Sequence, residues 1–462
     1  MSQLTAILFL TILQFFMGFG VLTLLRIQIG LIYFLALSVL LGIAVFSLIP
    51  FLAQLCYLPL SSTNLFIALI TICALLNIKL RPAMLHLRNQ FRNTKLAVRL
   101  YEVPFIIVIC LIVFISVWRC FYFPPTPRDL TSGAEAIAEY AVKEKTMLNS
   151  IFTVDLSSTN NQFKPPFITS LQIIYKYAGF PFGQIWLSTV FISFLIFLYT
   201  ALRQQLHPIL TGLLILAFLA IPEMYGYTFM VLFDYSNAVY FFLSVYFMIM
   251  FFENREYNYL AFSALLMAVA TYIRSETLVL ACFMAGAVSV NQFRQKAEIR
   301  KRFLLAIMFL LPPALIYLLT VTVYIHLYLP VPYNIEGHIN QHLANVQPFF
   351  ERLTAMNSKL IFSNDGINYY GYFFFIFILL TLTDFAWKLE RSVRSRNFLY
   401  GVLVIYLGMP FLGYLIPLMD LDNSTKRGLF KIFPLMLLCM ANNEFLLYIS
   451  GQISKWEKNL AR

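Results

Sequence analysis

The chain has 462 residues, of which 60% are hydrophobic and only 12% charged, and its mean hydropathy is +0.78. Because an average soluble domain carries about a quarter charged residues, a water-soluble globule of this composition would expose large apolar patches, which aggregate. Soluble, disordered and fibrous classes are therefore excluded, and most of the chain is expected to lie in lipid. The net charge of +12 does not indicate a nucleic-acid partner, because Lys and Arg gather between hydrophobic segments, where they orient membrane proteins.

Hydrophobic segments follow one another along almost the whole chain. A bilayer core of about 30 Å requires roughly 17–25 apolar residues per helix. On this basis the sequence predicts an all-α polytopic membrane protein with about thirteen transmembrane helices. The predicted spans are about residues 4–25, 30–57, 63–79, 104–121, 183–201, 208–222, 229–252, 258–273, 275–290, 304–326, 366–388, 398–418 and 428–450.

The distribution of Lys and Arg between the connections predicts the orientation. One alternating set of connections holds 21 of the 33 Lys and Arg residues, and the opposite set holds ten. Because cytoplasmic loops are enriched in basic residues, the N-terminus is predicted outside and the C-terminus in the cytoplasm. Both long connections, 122–182 and 327–363, then lie outside, and the inner connections are too short for a catalytic domain. Any chemistry is therefore expected at the outer face.

The first long connection, 122–182, is the least apolar part of the chain. Residues 134–142 carry small and apolar side chains at helical spacing, which predicts an amphipathic helix along the membrane interface. Thr131 or Ser132 is the predicted N-cap, with Glu135, three residues after Ser132, as a capping-box partner. Asp129 directly precedes this helix.

A second element of the same connection begins with two prolines. After a polar stretch, 155–162, the sequence runs Phe163-Lys164-Pro165-Pro166-Phe167 and continues as an apolar segment, 168–177. That segment is too short to span the bilayer, so it is also expected to lie at the interface.

These elements and two later stretches resemble the GT-C superfamily of membrane glycosyltransferases, and in particular the branch that contains lipid A aminoarabinose transferases and protein mannosyltransferases. In that pattern an acidic residue precedes an Ala-rich helix and a K-P-P-L element follows; here Asp129 and Lys164-Pro165-Pro166-Phe167 hold these places, with Leu130 where a second acid is common. Phe233 to Ala238 is similar to the L-D-x-x-x-A element of the family, and Ala268 to Glu276 to its G-x-A-x-x-T-R-P-E turn. The resemblance covers about residues 104–290 and is weaker to 450.

The resemblance implies a GT-C-like catalytic module, 100–462, preceded by extra transmembrane helices and a basic cytoplasmic loop, 1–99. It implies inverting transfer of a hexosyl or pentosyl group from a polyprenyl-phosphate-linked sugar to a glycolipid, polysaccharide or protein of the cell envelope. The location expected for this branch is the outer face of a bacterial inner membrane. Membrane lipid is a further partner, and a divalent cation (Mg²⁺ or Mn²⁺) stays open as a cofactor.

Such a transfer requires a carboxylate to accept the proton of the acceptor hydroxyl. Asp129 is the first candidate for this base, or for holding a metal, and Asp234 is the second, because a carboxylate within an apolar helix is costly and usually functional. Each has a structural alternative. Asp129 could cap the interfacial helix, and Asp234 could pair with Arg274 or accept a hydrogen bond from a tyrosine.

The departing phosphate requires cations in a site that excludes water. The candidate substrate-binding residues are Lys164, Arg274, Glu276, Lys426 and Arg427. Lys426 and Arg427 lie on the predicted outer side, against the charge bias, which fits a phosphate site. The structural alternatives are that Lys164, Lys426 and Arg427 contact lipid headgroups and that Arg274 pairs with Glu276 in a tight hairpin.

The second long connection, 327–363, contains Glu336, His338 and His342. Two histidines four residues apart and an acid could bind a metal, but no zinc-protease signature is present and contact with the acceptor is an alternative. An oligosaccharide polymerase or ligase is the alternative function, and its key Arg and His would lie in this connection. A secondary transporter is less favoured, because the sequence has no internal repeat and no paired Gly/Pro-broken helices.

Overall fold

The computed structural model describes residues 3–78, 98–126, 133–154, 164–296, 298–330, 348–386, 392–415 and 421–460, and every regular element in these ranges is a helix. Eight helices are long and apolar enough to cross a membrane, and two bent helix pairs raise the number to ten if each pair is one span. The described part of the chain is therefore all-helical, and the chain is a multi-pass membrane protein, as its composition predicts.

The longer helices are numbered here in chain order. They are α1 (Gln3–Leu24), α2 (Leu31–Leu55), α3 (Ser62–Leu76), α4 (Val103–Tyr122), α5 (Ala134–Glu144), α6 (Phe167–Tyr177), α7 (Trp186–Arg203), α8 (Pro208–Leu219), α9 (Phe233–Asn254), α10 (Tyr257–Ile273), α11 (Thr277–Arg294), α12 (Ile299–Tyr317), α13 (Asn364–Tyr370), α14 (Phe373–Ala386), α15 (Val393–Leu415), α16 (Phe433–Ala441) and α17 (Glu444–Leu460). A π-helical segment, Leu318–Tyr328, extends α12 into one span of 30 residues.

Each predicted span coincides with a helix or a bent helix pair, but three of these helices are short. The lengths of α3, α8 and α10 are 15, 12 and 17 residues. At 1.5 Å per residue, α8 rises only about 18 Å, which is less than the hydrocarbon thickness of about 30 Å. The predicted number of thirteen crossings is therefore not confirmed, whereas the positions of the helices are.

The helices α1 and α2 cross with their backbones in contact at two glycines. A Cβ atom on Gly18 would lie 1.8 Å from the carbonyl oxygen of Ser38, and one on Gly42 would lie 1.8 Å from that of Gln14. No side chain fits at either position without moving a helix. Small residues at helix contacts allow this close approach in lipid, where burial of apolar surface does not drive helix association.

Tyrosine hydroxyl groups tie α2 to later helices. Tyr240 Oη donates to the carbonyl oxygen of Leu40 at 2.6 Å, and Tyr272 Oη donates to that of Ser47 at 2.9 Å. Buried hydroxyl groups need such partners because the bilayer core holds no water. The first helices and the helices α9 and α10 thus belong to one continuous hydrophobic core.

Both helices of the first long connection form where they are predicted, but α6 is enclosed by protein. All residues from Phe167 to Tyr175 are buried, and the ring of Phe167 packs edge-on against Trp186 and Tyr272. Instead of presenting one side to lipid headgroups, as the sequence predicts, α6 fills the interior next to α2.

Glu135 bonds to α6, and α5 has Gly133 as its N-cap, whereas Ser132 of the predicted capping box lies outside the described residues. Glu135 Oε1 pairs with Lys176 Nζ at 2.5 Å, and its Oε2 accepts a hydrogen bond from Gln172 Nε2 at 2.7 Å. Gln172 in turn accepts a bond from the indole nitrogen of Trp186 at 3.3 Å. These bonds fix α5 against α6 and so fix the start of α6, three residues after Lys164.

Candidate functional site

Asp234 lies in the first turn of α9 and is only 2% exposed. Its Oδ1 forms an ion pair with Arg274 Nη1, and its Oδ2 lies 3.7 Å from Arg427 Nη1. The first turn of a helix stabilises a negative charge through its free N–H groups. Both oxygens of this carboxylate therefore face guanidinium groups.

Arg274 lies in the three-residue connection between α10 and α11, where the chain reverses direction. Its Nη2 pairs with Glu276 Oε1 at 2.5 Å, while its Nη1 pairs with Asp234. The guanidinium group is thus clamped between two carboxylates, and its side chain is 14% exposed. The predicted alternatives for Arg274, pairing with Asp234 and pairing with Glu276, are both realised.

Two lysines also act on these groups. Lys431 is 6% exposed and is close enough to Asp234, Arg274 and Glu276 to interact with them electrostatically. The charge of Lys164 also acts on Glu276. Burial by itself would raise the pKa of Glu276, but the charges of Arg274, Lys164 and Lys431 hold that pKa at about 2.

Lys426 forms the edge of the same site. Its Nζ pairs with Glu223 Oε1 at 2.8 Å and lies 4.1 Å from the ring centroid of Tyr369. Tyr370 Oη donates a hydrogen bond to the Lys426 carbonyl at 2.9 Å. The contacts link α13 to the irregular segment 421–431 that carries Lys426, Arg427 and Lys431.

We call this set of residues the charged cluster. Within the described residues it consists of Lys164, Glu223, Asp234, Arg274, Glu276, Lys426, Arg427 and Lys431. Among the described side chains, five cations face three carboxylates, so positive charge exceeds negative charge in this largely buried part of the structure. Such an excess is costly unless an anion completes it.

The helix α4 holds the segment that leads into Asp234. The hydroxyl groups of Ser116 and Thr228 are hydrogen-bonded at 2.9 Å. The guanidinium carbon of Arg119 lies between the rings of Phe123 and Phe229, 4.7 and 4.9 Å from their centroids. Cation–π contacts of this kind are each worth about 0.5–1 kcal/mol at exposed sites, and here they fix the approach to the charged cluster.

The structure brings together six of the seven site residues predicted from the sequence. These are Lys164, Asp234, Arg274, Glu276, Lys426 and Arg427. Asp129 lies outside the described residues, so its predicted place in the site stays a prediction, as do those of Glu336, His338 and His342.

Glu223 and Lys431 were not predicted from the sequence as members of the site. Lys431 lies inside the predicted span 428–450 and was counted only for orientation, although an ionisable residue within a span is by itself a functional signal. Glu223 lies in the short helix Pro222–Gly226, between α8 and α9, and carried no signal of its own in the sequence. Its role became visible only through its ion pair with Lys426.

The described part of the cluster does not fit a divalent cation. No group of three or more His, Cys, Asp or Glu side chains in the described ranges could hold a metal ion. Asp234 directs both oxygens at guanidinium groups, and the surrounding cations would repel a dication. An anion suits these donors better.

Comparisons with known proteins identify no relative. No family model matches the chain, and no match is found among curated proteins or among solved structures. Three of the four quoted motifs contribute residues to the charged cluster: the K-P-P element, the start of α9 and the turn between α10 and α11.

Proposed function

We propose that the protein is an inverting membrane glycosyltransferase that moves a sugar from a polyprenyl-phosphate carrier to an acceptor at the outer face of the membrane. The supporting observation is the charged cluster, a largely buried excess of cations at one end of a bundle that otherwise has lipid as its solvent. A phosphate at the surface of the hydrocarbon is the anion that a lipid-linked donor would present there.

In the proposed reaction Arg427, Lys431 and Lys164 bind the carrier phosphate, while Asp234 and Glu276 orient Arg274 toward it. The acceptor hydroxyl oxygen forms a bond to the anomeric carbon on the face opposite the phosphate. The carbon–oxygen bond to the phosphate breaks, and the carrier phosphate leaves with the electron pair. Fixed cations at the departing oxygen stabilise the charge that develops there.

A carboxylate must take the hydroxyl proton in this reaction. Because both oxygens of Asp234 already face guanidinium groups, we assign Asp234 a positioning role. Asp129 is then the proposed base, since the sequence places it just before α5 on the same predicted side of the membrane. The proposal therefore separates the two acids that the sequence considered together.

The test is binding of a polyprenyl monophosphate to the purified protein in nanodiscs, with the polyprenol of the same chain length for comparison. The monophosphate is expected to bind at least about tenfold more tightly. Arg427→Gln should remove most of that difference, because it removes a guanidinium group from the proposed phosphate site. The fold is expected to be kept, since Asp234 retains Arg274 as its partner. The matched control is Arg394→Gln, which removes a partly buried arginine paired with Glu253 at 2.7 Å at the other end of α9.

Equal binding of alcohol and phosphate, or equal effects of the two substitutions, would contradict the phosphate site. Transfer is measured separately, as radiolabelled sugar passing from a polyprenyl-phosphate donor into a membrane extract. Asp129→Asn should abolish transfer while leaving monophosphate binding unchanged. Solute movement across vesicles without any transfer would overturn the enzyme class in favour of a transporter.

One observation favours the alternative of an oligosaccharide polymerase or ligase. Arg352, in the second long connection, is 8% exposed and packs on α15 at Gly413, where a Cβ atom would lie 2.2 Å from Arg352 Nη2. A buried arginine in this connection is what that alternative predicts. Analysis of product length in the transfer assay distinguishes the two, since a polymerase adds repeating units and the leading proposal adds one sugar.

A further inference from the structure

A second feature of the bundle lies at the end opposite the charged cluster. A cavity of about 800 Å³ opens there between α4, α7 and the start of α2. This volume is at the upper end of the range for small-molecule sites, roughly 300–1,000 Å³. Its walls are apolar and include Ile106, Ile109 and Leu195, whereas Arg99 and Arg203 line its rim.

The position of the cavity makes it a lateral groove. Side chains of α4 are largely uncovered by protein: Ile107 is 60% and Leu111 59% exposed. In a bilayer these faces contact lipid tails, so a groove beside them opens sideways into the hydrocarbon. A chain-like apolar molecule can enter it without crossing water.

The rim of the groove is better suited to bind a phosphate group than an ammonium group. Arg99 and Arg203 have side chains that are 49% and 33% exposed, and both therefore retain accessible N–H donors. Each arginine is paired with one carboxylate: Arg99 with Glu457, and Arg203 with Glu102, which is 4% exposed and also accepts a bond from Tyr199 at 3.2 Å. The remaining exposed guanidinium N–H groups next to apolar walls are complementary to the phosphate of an anionic lipid headgroup.

The rim and the charged cluster cannot serve the same phosphate. Seventeen residues along the helix separate Glu102 from Arg119, whose contact with Phe229 leads to the cluster. At 1.5 Å per residue this is about 26 Å, which is close to the hydrocarbon thickness of about 30 Å. A molecule whose headgroup lies at the rim is therefore a different molecule, in the other leaflet, from one bound at the cluster.

We propose that this groove binds one anionic diacyl phospholipid, with its acyl chains against the apolar walls and its phosphate at Arg99 and Arg203. Lipid tails are as apolar as the walls, so the chains give little preference over other lipids. Selectivity between lipids comes from the rim, where a headgroup phosphate without a neighbouring ammonium group interacts most favourably with the two arginines. The proposal does not depend on the proposed transferase activity.

The experiment is native mass spectrometry of delipidated protein to which phosphatidylglycerol or phosphatidylethanolamine with the same acyl chains is added. Phosphatidylglycerol is expected to bind at least about tenfold more tightly than phosphatidylethanolamine. Arg99→Gln, at a half-exposed position, should remove most of that preference. Ile109→Trp should reduce the binding of both lipids because it fills the groove.

The matched control is Ile107→Trp, which adds the same ring to α4 at an exposed position outside the groove and should leave binding unchanged. Equal affinity for the two phospholipids would overturn the proposal, as would equal effects of the two tryptophans. Displacement of the phospholipid from the groove by a polyprenyl monophosphate would also overturn it, since the groove would then belong to the carrier. Loss of transferase activity has no bearing on this result.

Discussion

At the scale of single residues, the charged cluster is notable for its imbalance. Buried ion pairs rarely improve stability over apolar packing, because removing charges from water costs several kcal/mol per ion. Asp234 and Glu276 offset part of this cost for Arg274, but Lys431 adds another buried positive charge beside them. Stability alone does not explain such an arrangement, which is consistent with the proposed binding of an anion.

Glu276 provides a prediction for stability against pH. The ordinary pKa of a glutamate is about 4.3, and in the folded protein neighbouring cations hold it at about 2. Its stabilising contribution, on the order of 3 kcal/mol, is therefore present above about pH 4.3 and is lost as the pH falls toward about 2. Glu276→Gln should lower the midpoint of thermal unfolding at about pH 7. On acidification to about pH 3, that midpoint should fall less in the variant than in the unaltered protein.

The control for this measurement is Glu139→Gln on α5. Glu139 is also paired with a lysine, at 2.9 Å, but its side chain is 54% exposed and that of Lys143 is 63% exposed. An exposed pair of this kind contributes only about 0.3–0.5 kcal/mol. If both variants respond to acid equally, the buried cluster does not stabilise the ionised form of Glu276.

At the scale of elements, two features position the site. The connection between α10 and α11 has only three residues, so Arg274 and Glu276 are fixed by the ends of two helices. On the other side, α6 packs against α2, and α2 is in turn fixed against α1 by the glycine crossing. The N-terminal helices thus support the segment that follows Lys164.

The glycine crossing predicts a large effect for a small substitution. Gly18→Ala places a methyl group 1.8 Å from a backbone oxygen of α2, so the helices must separate, at a cost of about 1–3 kcal/mol or more. The matched control is Gly286→Ala in α11, where a Cβ atom meets nothing within 4 Å and a gain of about 0.5–1 kcal/mol is expected. Thermal unfolding in detergent measures both, and equal midpoints would contradict the close contact of α1 and α2.

At the scale of the whole molecule, the two ends of the bundle differ in their electrostatics. Within the described residues, the charged cluster joins five cations to three carboxylates. The described contacts at the other end include the pairs of Arg394 with Glu253 and of Arg203 with Glu102, and Glu457 contacts both Arg99 and His207. The predicted orientation places the first end outside and the second in the cytoplasm.

Reporter fusions test this orientation. A fluorescent protein fused after residue 462 should fold and fluoresce, and a secreted phosphatase fused at the same place should be inactive, because the C-terminus is predicted in the cytoplasm. An active phosphatase would show that the orientation is the reverse of the predicted one. The charged cluster would then face the cytoplasm, and the proposed transfer from a donor in the outer leaflet would be ruled out.

Hydropathy by itself determined that the chain is an all-helical membrane protein and where most of its helices lie. Lipid offers no hydrogen bonds to the backbone, so an apolar segment of sufficient length has to form a helix. The lengths of α3, α8 and α10 and the breaks between α13 and α14 and between α16 and α17 were not determined in this way. They depend on contacts with neighbouring helices, which periodicity does not record.

The sequence also identified most residues of the site, because charges are rare in it and those on the predicted outer side are not explained by orientation. Only the tertiary structure decided that they meet. Asp234, Arg274 and Arg427 are far apart in the chain, and their ion pairs depend on how α9, α10 and the segment 421–431 pack together. The same packing places Lys431 and Glu223 in the site and gives Glu135 its partners. A buried charge is stable only where the fold places a partner beside it.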